Sequence, residues 1–144
     1  MKRVVYAVAL AIVGVGCAVK AQLGPPSNER PLVTLTNNDI AVQPAELVFE
    51  RRGSVVIRWQ LPDGASYEFP NNGIVIAREV ASASDLRPGG KGDKQDEVVR
   101  CERVANGRAF QCQNNNSRPG TYKYTVNLVD RGRPVSKDPV IVNR

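Results

Sequence analysis

The sequence predicts an all-β fold, a two-sheet antiparallel β-sandwich of about eight strands. From residue 31 onward, short apolar segments alternate with turn residues. Several of these segments carry apolar residues at every second position, which is typical of strands with one buried face. No window of the sequence combines a helical period with capping residues. The 144 residues are enough for one such domain, which we place at residues 31–144.

The first 21 residues are predicted to form a signal peptide. A basic start at residues 1–3 precedes an uncharged apolar run at 4–16, and small or apolar residues at 19 and 21 fit a signal-peptidase site. The run is too short to cross a membrane comfortably. We therefore expect an exported protein, periplasmic or secreted, whose mature chain begins at Gln22.

Cys17 provides the alternative to cleavage at Gln22. It follows Gly16, as the acceptor cysteine of a lipoprotein would. Lipoprotein signals carry a branched apolar residue three positions before that cysteine, where this chain has Gly14. The mismatch disfavours a lipid anchor at Cys17.

Removal of the signal peptide changes the charge of the chain. Lys2, Arg3 and Lys20 leave with it, so the formal charge falls from +6 to +3. A charge of this size is ordinary for solubility and does not indicate nucleic-acid binding.

The mature chain begins with a polar lead-in at residues 22–30, which we expect to be mobile. The predicted strands that follow are residues 32–36, 44–52, 54–61, 73–79, the two arms of a hairpin at 98–112, 121–129 and 139–143. Strand 73–79 is apolar on both faces at its start, so it is predicted to be central.

Two strands alternate most clearly. Strand 54–61 is expected to bury Val55, Ile57, Trp59 and Leu61. Strand 121–129 is expected to bury Tyr122, Tyr124, Val126 and Leu128, with Lys123, Thr125 and Asn127 facing outward. Trp59 is therefore predicted to belong to the core, and stacking on a ligand is its alternative role.

The stretch from residue 81 to residue 97 is polar, glycine-rich and charged. A loop of this length without secondary structure is unusual in a compact domain. It is either a binding loop or a disordered insertion, and the sequence does not decide between them.

The mature chain keeps two cysteines, Cys101 and Cys112, and two cysteines in an oxidising compartment are expected to pair. Asn106-Gly107 between them is a strong hairpin signal, because a type I′ turn needs positive φ at both central residues. Folding there brings Cys101 opposite Cys112, within disulfide distance. The sequence leaves open whether the turn has two residues or four.

Two other roles for these cysteines are less well supported. A metal site would need further ligands, and the chain has no histidine. A redox pair usually lies closer together in sequence than Cys101 and Cys112 do. We therefore expect a structural disulfide and no metal or cofactor.

Two stretches resemble cupredoxin-like domains. Residues 43–59 (QPAELVFERRGSVVIRW) are similar to the opening of those domains, where a proline, an apolar strand and a glycine precede a Val-x-Ile-x-Trp strand. Residues 119–126 (PGTYKYTV) are similar to their late Pro-Gly-x-Tyr-x-Tyr strand. Gly120, Thr121 and Tyr122 also resemble the tyrosine corner of immunoglobulin-like domains, with Tyr124 where their second cysteine would stand.

The resemblance implies a sandwich scaffold without the cupredoxin metal. Blue-copper sites take two histidines and a cysteine, usually with an axial methionine. This chain has no histidine, and its one methionine is Met1. A blue-copper site is therefore excluded, and the fold by itself does not imply a function.

Catalysis is not expected. Nucleophile mechanisms that use histidine as base are impossible without histidine. Paired carboxylates remain possible on composition, but Glu46 and Glu50 lie on the polar face of a predicted strand. The acids of the 81–97 loop lie among lysines, where solvation is the simpler explanation.

Our leading hypothesis is an exported, non-catalytic binding module of a bacterial-type cell envelope, with no transmembrane span in the mature chain. Its loops would recognise a protein or an anionic envelope component, because rigid sandwiches present function on their loops. The candidate partner-binding residues are Arg51, Arg52, Lys91, Lys94, Arg108 and Arg118. The alternative is a secreted or periplasmic enzyme inhibitor that presents residues 105–108 at the tip of the stapled hairpin.

Overall fold

The structure, a computed structural model, describes residues 24–50, 53–80 and 95–144, with the backbone alone for 77–80. The predicted signal peptide, Arg51 and Arg52, and the segment 81–94 with Lys91 and Lys94 lie outside the described residues. The described chain forms two β-sheets that pack face to face, so the predicted all-β sandwich is confirmed.

Eleven strands build the two sheets. In chain order they are β1 Leu32–Thr36, β2 Asp39–Gln43, β3 Glu46–Phe49, β4 Val55–Gln60, β5 Tyr67–Glu68, β6 Ile74–Val80, β7 Val98–Val104, β8 Ala109–Asn114, β9 Gly120–Asp130, β10 Arg133–Lys137 and β11 Val140–Asn143. Sheet A has the order β2-β1-β4-β8-β7. In sheet B, β9 pairs with β5, β6, β10 and β11, and β11 pairs with β3.

The sheets are mixed, which corrects the prediction of a purely antiparallel sandwich. Most pairings are antiparallel, but β1 runs parallel to β4, and β3 runs parallel to β11. The second exception arises because the chain changes sheets between β2 and β3. After pairing with β1 in sheet A, it crosses to sheet B and lies beside the last strand in the same direction.

Strand β9 organises sheet B. β10 and β11 pair with successive parts of β9 in one unbroken register, from Arg133 opposite Asp130 to Asn143 opposite Gly120. They therefore act as one long strand interrupted at residues 138–139. Across that interruption the ladder continues, because the Tyr124 N–H donates to the Pro139 carbonyl oxygen at 3.1 Å.

Three short strands were not predicted: β2, β5 and β10. Strand β2 follows the turn Asn37-Asn38, whose residues have φ of 51° and 64°, and β10 follows Arg131-Gly132, with φ of 49° and 79°. Positive φ at both positions is the mark of the tight type I′ hairpin turn. The Asn-Asn and Arg-Gly pairs were therefore the missed signals of two further hairpins.

Strand β6 was predicted to be central, and this is wrong. Among the described strands it pairs with β9 alone, so it lies at an edge of sheet B. Val75 points out of the sandwich and is 41% exposed, which explains why the strand is apolar on both faces without being buried on both.

The core lies between the sheets, and its centre is the contact of Trp59 with Tyr124. Both side chains have no exposed surface. Their ring centroids are 5.4 Å apart, and Trp59 Nε1 donates a hydrogen bond to the Tyr124 hydroxyl oxygen at 3.3 Å. One residue comes from sheet A and the other from sheet B, so this contact ties the two layers together. The predicted inward faces of strands 54–61 and 121–129 are confirmed.

Lys123 departs from the prediction that it is a solvated outward residue. It lies on the outer face of β9 but is only 7% exposed. Its Nζ lies 2.8 Å from Asp138 Oδ2, and the Thr125 hydroxyl donates to Asp138 Oδ1 at 2.8 Å. Asp138 stands where β10 gives way to β11, so the ion pair secures the interruption of that long strand.

The lead-in was expected to be mobile, but its described end is bonded to both sheets. The carbonyl oxygens of Glu29 and Pro31 accept hydrogen bonds from the backbone N–H groups of Arg58 and Gln60, at 2.8 and 2.9 Å. Asn28 Nδ2 donates to the Val48 carbonyl oxygen at 2.6 Å. The segment therefore extends sheet A alongside β4 and also holds the edge strand β3 of sheet B.

Replacing Tyr124 by Phe should destabilise the protein by about 1–3 kcal/mol, because the buried Trp59 N–H loses its acceptor. Burial raises the pKa of Tyr124 well above its ordinary 10.0, although the Trp59 hydrogen bond lowers it somewhat. The native state therefore keeps a proton that the unfolded chain loses from about pH 10 upward, and stability falls in that range. Urea titrations at neutral and alkaline pH should show less alkaline loss for Tyr124→Phe. Equal losses would contradict the assignment.

Replacing Asp138 by Asn should remove an acid-dependent part of the stability. Burial tends to raise the pKa of Asp138, but the hydrogen bonds from Lys123 and Thr125 and the Lys123 charge lower it below 3.8 overall. Its contribution is therefore present above this ordinary value and lost as pH falls through the lowered one. Thermal melting from neutral into acid pH should show a flatter acid profile for Asp138→Asn.

The matched control for Asp138 is Asp39→Asn. Asp39 pairs with Lys137 at 3.1 Å, but that lysine side chain is 44% exposed, whereas the Lys123 side chain is 9% exposed. Exposed ion pairs contribute little. An equal effect of the two substitutions would show that burial of Lys123 is not what matters.

Candidate functional site

The three loops that the sequence singled out are attached to one end of the sandwich. The pairings show this, because Asn114 lies level with both Val55 and Val98, and Val80 lies level with Thr121. The corner at 51–52, the stretch 81–97 and the loop 113–120 all leave the sheets at these levels. We call this the loop end, and its described residues are 27–29, 48–50, 53–55, 95–98, 114–120 and 143–144.

Two buried asparagines join the sheets at the loop end. Asn114 at the end of β8 and Asn143 at the end of β11 exchange two amide hydrogen bonds, of 2.8 and 3.0 Å. Asn114 Oδ1 also accepts the Asn116 backbone N–H at 3.1 Å. Asn116 Nδ2 donates to the Glu50 carbonyl oxygen at 2.8 Å, beside the predicted 51–52 corner. Paired amides satisfy each other away from water, so this network fixes the spacing of the loop attachments.

Glu97 anchors the loop 113–120 to the end of the 81–97 stretch. The carboxylate is only 3% exposed, and it accepts hydrogen bonds from the Ser117 backbone N–H at 2.8 Å and from the Ser117 hydroxyl. The Glu97 carbonyl oxygen accepts the Asn115 N–H at 2.7 Å. This role was not predicted, because an acid in a charged loop usually faces solvent.

Arg118 was predicted to face a partner, and the structure places it at the loop end. Its side chain is 47% exposed, and it pairs with Asp96 at 3.2 Å and with Glu97 at 3.7 Å. Arg118 therefore has internal carboxylate partners and still presents about half of its surface. Its contact with a partner stays a prediction.

A groove of about 440 Å³ opens at the loop end between the lead-in and the β3–β4 corner. Its lining residues are Ser27, Asn28, Glu29, Val48, Phe49, Glu50 and Val55. Three of them are apolar and two are carboxylates. Arg144 NH1 lies 3.8 Å from Glu50 Oε1, and both side chains are more than half exposed.

The disulfide hairpin reaches the opposite end of the sandwich. Cys101 and Cys112 are joined, with their Cα atoms 4.1 Å apart, so the predicted disulfide is confirmed. The predicted register holds from Glu102 to Val104, and an irregularity between Val99 and Glu102 shifts it by one residue beyond them. The turn has four residues, since Val104 pairs with Ala109, and positive φ occurs at Ala105, Asn106 and Gly107. This settles the alternative that the sequence left open.

Arg108 holds the hairpin tip against the 62–70 segment. Its NH1 donates to the carbonyl oxygens of Ala65 and Tyr67 at 3.0 Å each, and its NH2 donates to that of Pro62 at 2.5 Å. The Gly107 carbonyl oxygen accepts the Phe69 N–H at 2.9 Å. The guanidinium thus serves the fold, and its predicted contact with a partner stays a prediction.

Neither a protein-family model nor a curated protein matches this sequence. No helix in the described ranges is long and apolar enough to cross a membrane. Within the same residues, no group of three or more Cys, Asp or Glu side chains is arranged to hold a metal ion. The function must therefore be argued from the site itself.

Replacing Arg108 by Ala should loosen the hairpin end, because three carbonyl oxygens lose their donor. We expect a loss of about 1–3 kcal/mol in the free energy of unfolding. Amide hydrogen exchange should also become faster at Leu61 and Phe69, whose N–H groups bond to the turn. The control is Arg131→Ala, an exposed arginine in the β9–β10 turn. Equal effects of the two variants would argue against the clamp.

Proposed function

We propose that this protein is an exported, non-catalytic binding module that meets its partner with the loop end. The observation that carries the proposal is the convergence of three polar loop attachments on one end of a rigid sandwich. Loops held by a rigid scaffold are where binding surfaces are most often built. The 440 Å³ groove opens at the same end, between the same elements.

The frame beneath the loops supports this proposal. The reciprocal pair of Asn114 and Asn143 and the buried Glu97 hold the attachment points with hydrogen bonds rather than with a sealed apolar core. Such a frame keeps the attachment points of the loops in place before a partner arrives. Preorganisation of this kind reduces the entropy that binding costs.

We infer that the scaffold is of the cupredoxin-like or immunoglobulin-like type, without a metal. The two stretches that resemble those domains form β3–β4 and β9, and they supply Trp59 and Tyr124 to the central contact.

A protein is the better-supported partner class. Arg118 and Arg144, the arginines described at the loop end, each pair with a carboxylate already. An anionic polymer would compete with those internal pairs for the same cations. A protein surface can use both signs of charge, and the groove adds apolar contact.

The structure supports the inhibitor hypothesis less well than it supports binding at the loop end. Ala105 and Asn106 are exposed at the hairpin tip, but Gly107 is buried and Arg108 is bonded to the 62–70 segment. A tip whose arginine is already used offers an enzyme a small surface.

The test compares one charge removed at each end of the sandwich. Mature protein beginning at Gln22 is immobilised, and partners are captured from an envelope extract with wild type, Arg118→Gln and Arg131→Gln. We expect Arg118→Gln to weaken capture several-fold and Arg131→Gln to leave it unchanged. Equal capture by all three, or loss only with Arg131→Gln, would overturn the loop-end proposal.

Two checks accompany the capture experiment. Intact mass before and after reduction and alkylation confirms that the bait begins at Gln22 and carries the Cys101–Cys112 disulfide. A salt titration of the captured complex separates the partner classes, because binding of a polyanion falls steeply with ionic strength. A steep fall would favour an anionic envelope component over a protein.

A further inference from the structure

We propose that the groove at the loop end receives a basic side chain, arginine or lysine, from the partner protein. This inference rests on the proposed function and names the feature of the partner that the loop end recognises. The groove has an apolar side next to carboxylates. A long basic side chain could place its apolar stem against the first and its charged head against the second. Its methylene stem is apolar, and its head is a cation.

The dimensions of the groove fit a small group and not a whole loop. A space of about 440 Å³ lies within the usual range for small-molecule sites. Val48, Phe49 and Val55 supply its apolar side. Phe49 belongs to the core with Val55 packed against it, so that side of the groove is backed by the sandwich.

The backbone acceptors around the groove are already used. The carbonyl oxygens of Glu29, Val48, Phe49 and Glu50 accept hydrogen bonds from Arg58 N, Asn28 Nδ2, Arg144 N and Asn116 Nδ2, respectively. The walls are therefore held from within the chain and do not need a ligand to satisfy them. What remains for a ligand is carried by side chains.

The charged side chains among them, Glu29 and Glu50, are acceptors. Within the described part of the chain, no cation pairs with the Glu29 carboxylate, and Glu50 Oε1 pairs with Arg144 NH1 at 3.8 Å while both side chains stay more than half exposed. Ionised carboxylates accept hydrogen bonds and cannot donate them. The Asn28 amide donates to Val48 and the Ser27 hydroxyl accepts the Arg30 N–H at 3.1 Å, and neither group is charged. Among the described lining residues, Glu29 and Glu50 carry the charge. The site therefore favours a donor with positive charge.

Arg144 makes it possible to test the proposal by the direction in which the affinity for a cation changes. Its guanidinium approaches Glu50 from just beyond the end of β11, so a bound cation would compete with it for the Glu50 carboxylate. Removing Arg144 should strengthen binding of a cation, whereas removing Glu29 and Glu50 should weaken it. A merely structural pair would not move binding in opposite directions.

The first experiment uses N-acetyl-arginine amide as the probe, with N-acetyl-citrulline amide as its uncharged counterpart. Titration into labelled mature protein is followed by amide NMR shifts. We expect the arginine probe to move signals of residues 27–29, 48–50 and 55, and the citrulline probe to leave them in place. No shift at the groove with millimolar arginine probe, or equal shifts with both probes, would overturn the proposal.

Variants then assign the effect to the carboxylates. Glu29→Gln with Glu50→Gln should weaken the probe about tenfold, equivalent to about 1.4 kcal/mol, and Arg144→Gln should strengthen it. Glu46→Gln is the matched control, since Glu46 is an exposed glutamate of the same strand β3 outside the groove. Unchanged binding in the double variant would overturn the proposal. Both glutamates are exposed, so these variants should fold, and signal dispersion checks this.

The capture experiment distinguishes failure of the groove proposal from failure of the loop-end binding function. If Arg118→Gln weakens capture but the double glutamate variant does not, the loop end binds and the groove proposal fails. If neither weakens capture, both fail. If the double variant weakens capture and Arg144→Gln strengthens it, the groove reads a basic side chain of the partner.

Discussion

The contact between Trp59 and Tyr124 is the interaction on which the rest of the structure depends. Among the described residues, it is the one place where the central strand of sheet A and the central strand of sheet B share both ring packing and a hydrogen bond. Burial of two large aromatic side chains supplies much apolar area, and the hydrogen bond satisfies the indole N–H that such burial would otherwise leave unpaired. This alignment determines which face of each of the two strands points inward, and with it the positions of the strand ends from which the loops leave.

The two ends of the sandwich are secured by different chemistry. At the hairpin end, a guanidinium gathers three backbone carbonyl oxygens and draws a stapled turn onto a neighbouring segment. At the loop end, amides and a buried carboxylate tie the strand ends together. At the hairpin end, the Arg108 guanidinium is therefore already hydrogen-bonded within the chain. The loop end leaves carboxylates beside a groove, and this difference is why it is the stronger candidate for recognition.

Much of the fold could be predicted because period-two alternation reports burial directly, as in the strands of Trp59 and Tyr124. The Asn-Gly turn allowed us to predict that Cys101 and Cys112 lie opposite each other and pair. Strands β2 and β10 were missed because each is short and lies beyond a turn without the Asn-Gly pair. The groove could not be predicted at all, since it joins the lead-in to the β3–β4 corner. The same holds for Glu97 and Arg108, because contacts between segments distant in sequence leave no local pattern.

The parallel pairing of β3 with β11 has a consequence for the order in which the chain can become structured. Glu46 lies opposite Val140, so sheet B joins an early strand to the last one. During synthesis, β3 has no neighbour within its sheet until residues 140–143 have emerged. The second layer therefore closes late, and pairings between such distant segments are slow to form. The edge of sheet B that carries β3 can therefore be completed only after β5, β6, β9 and β10 are already present in the chain.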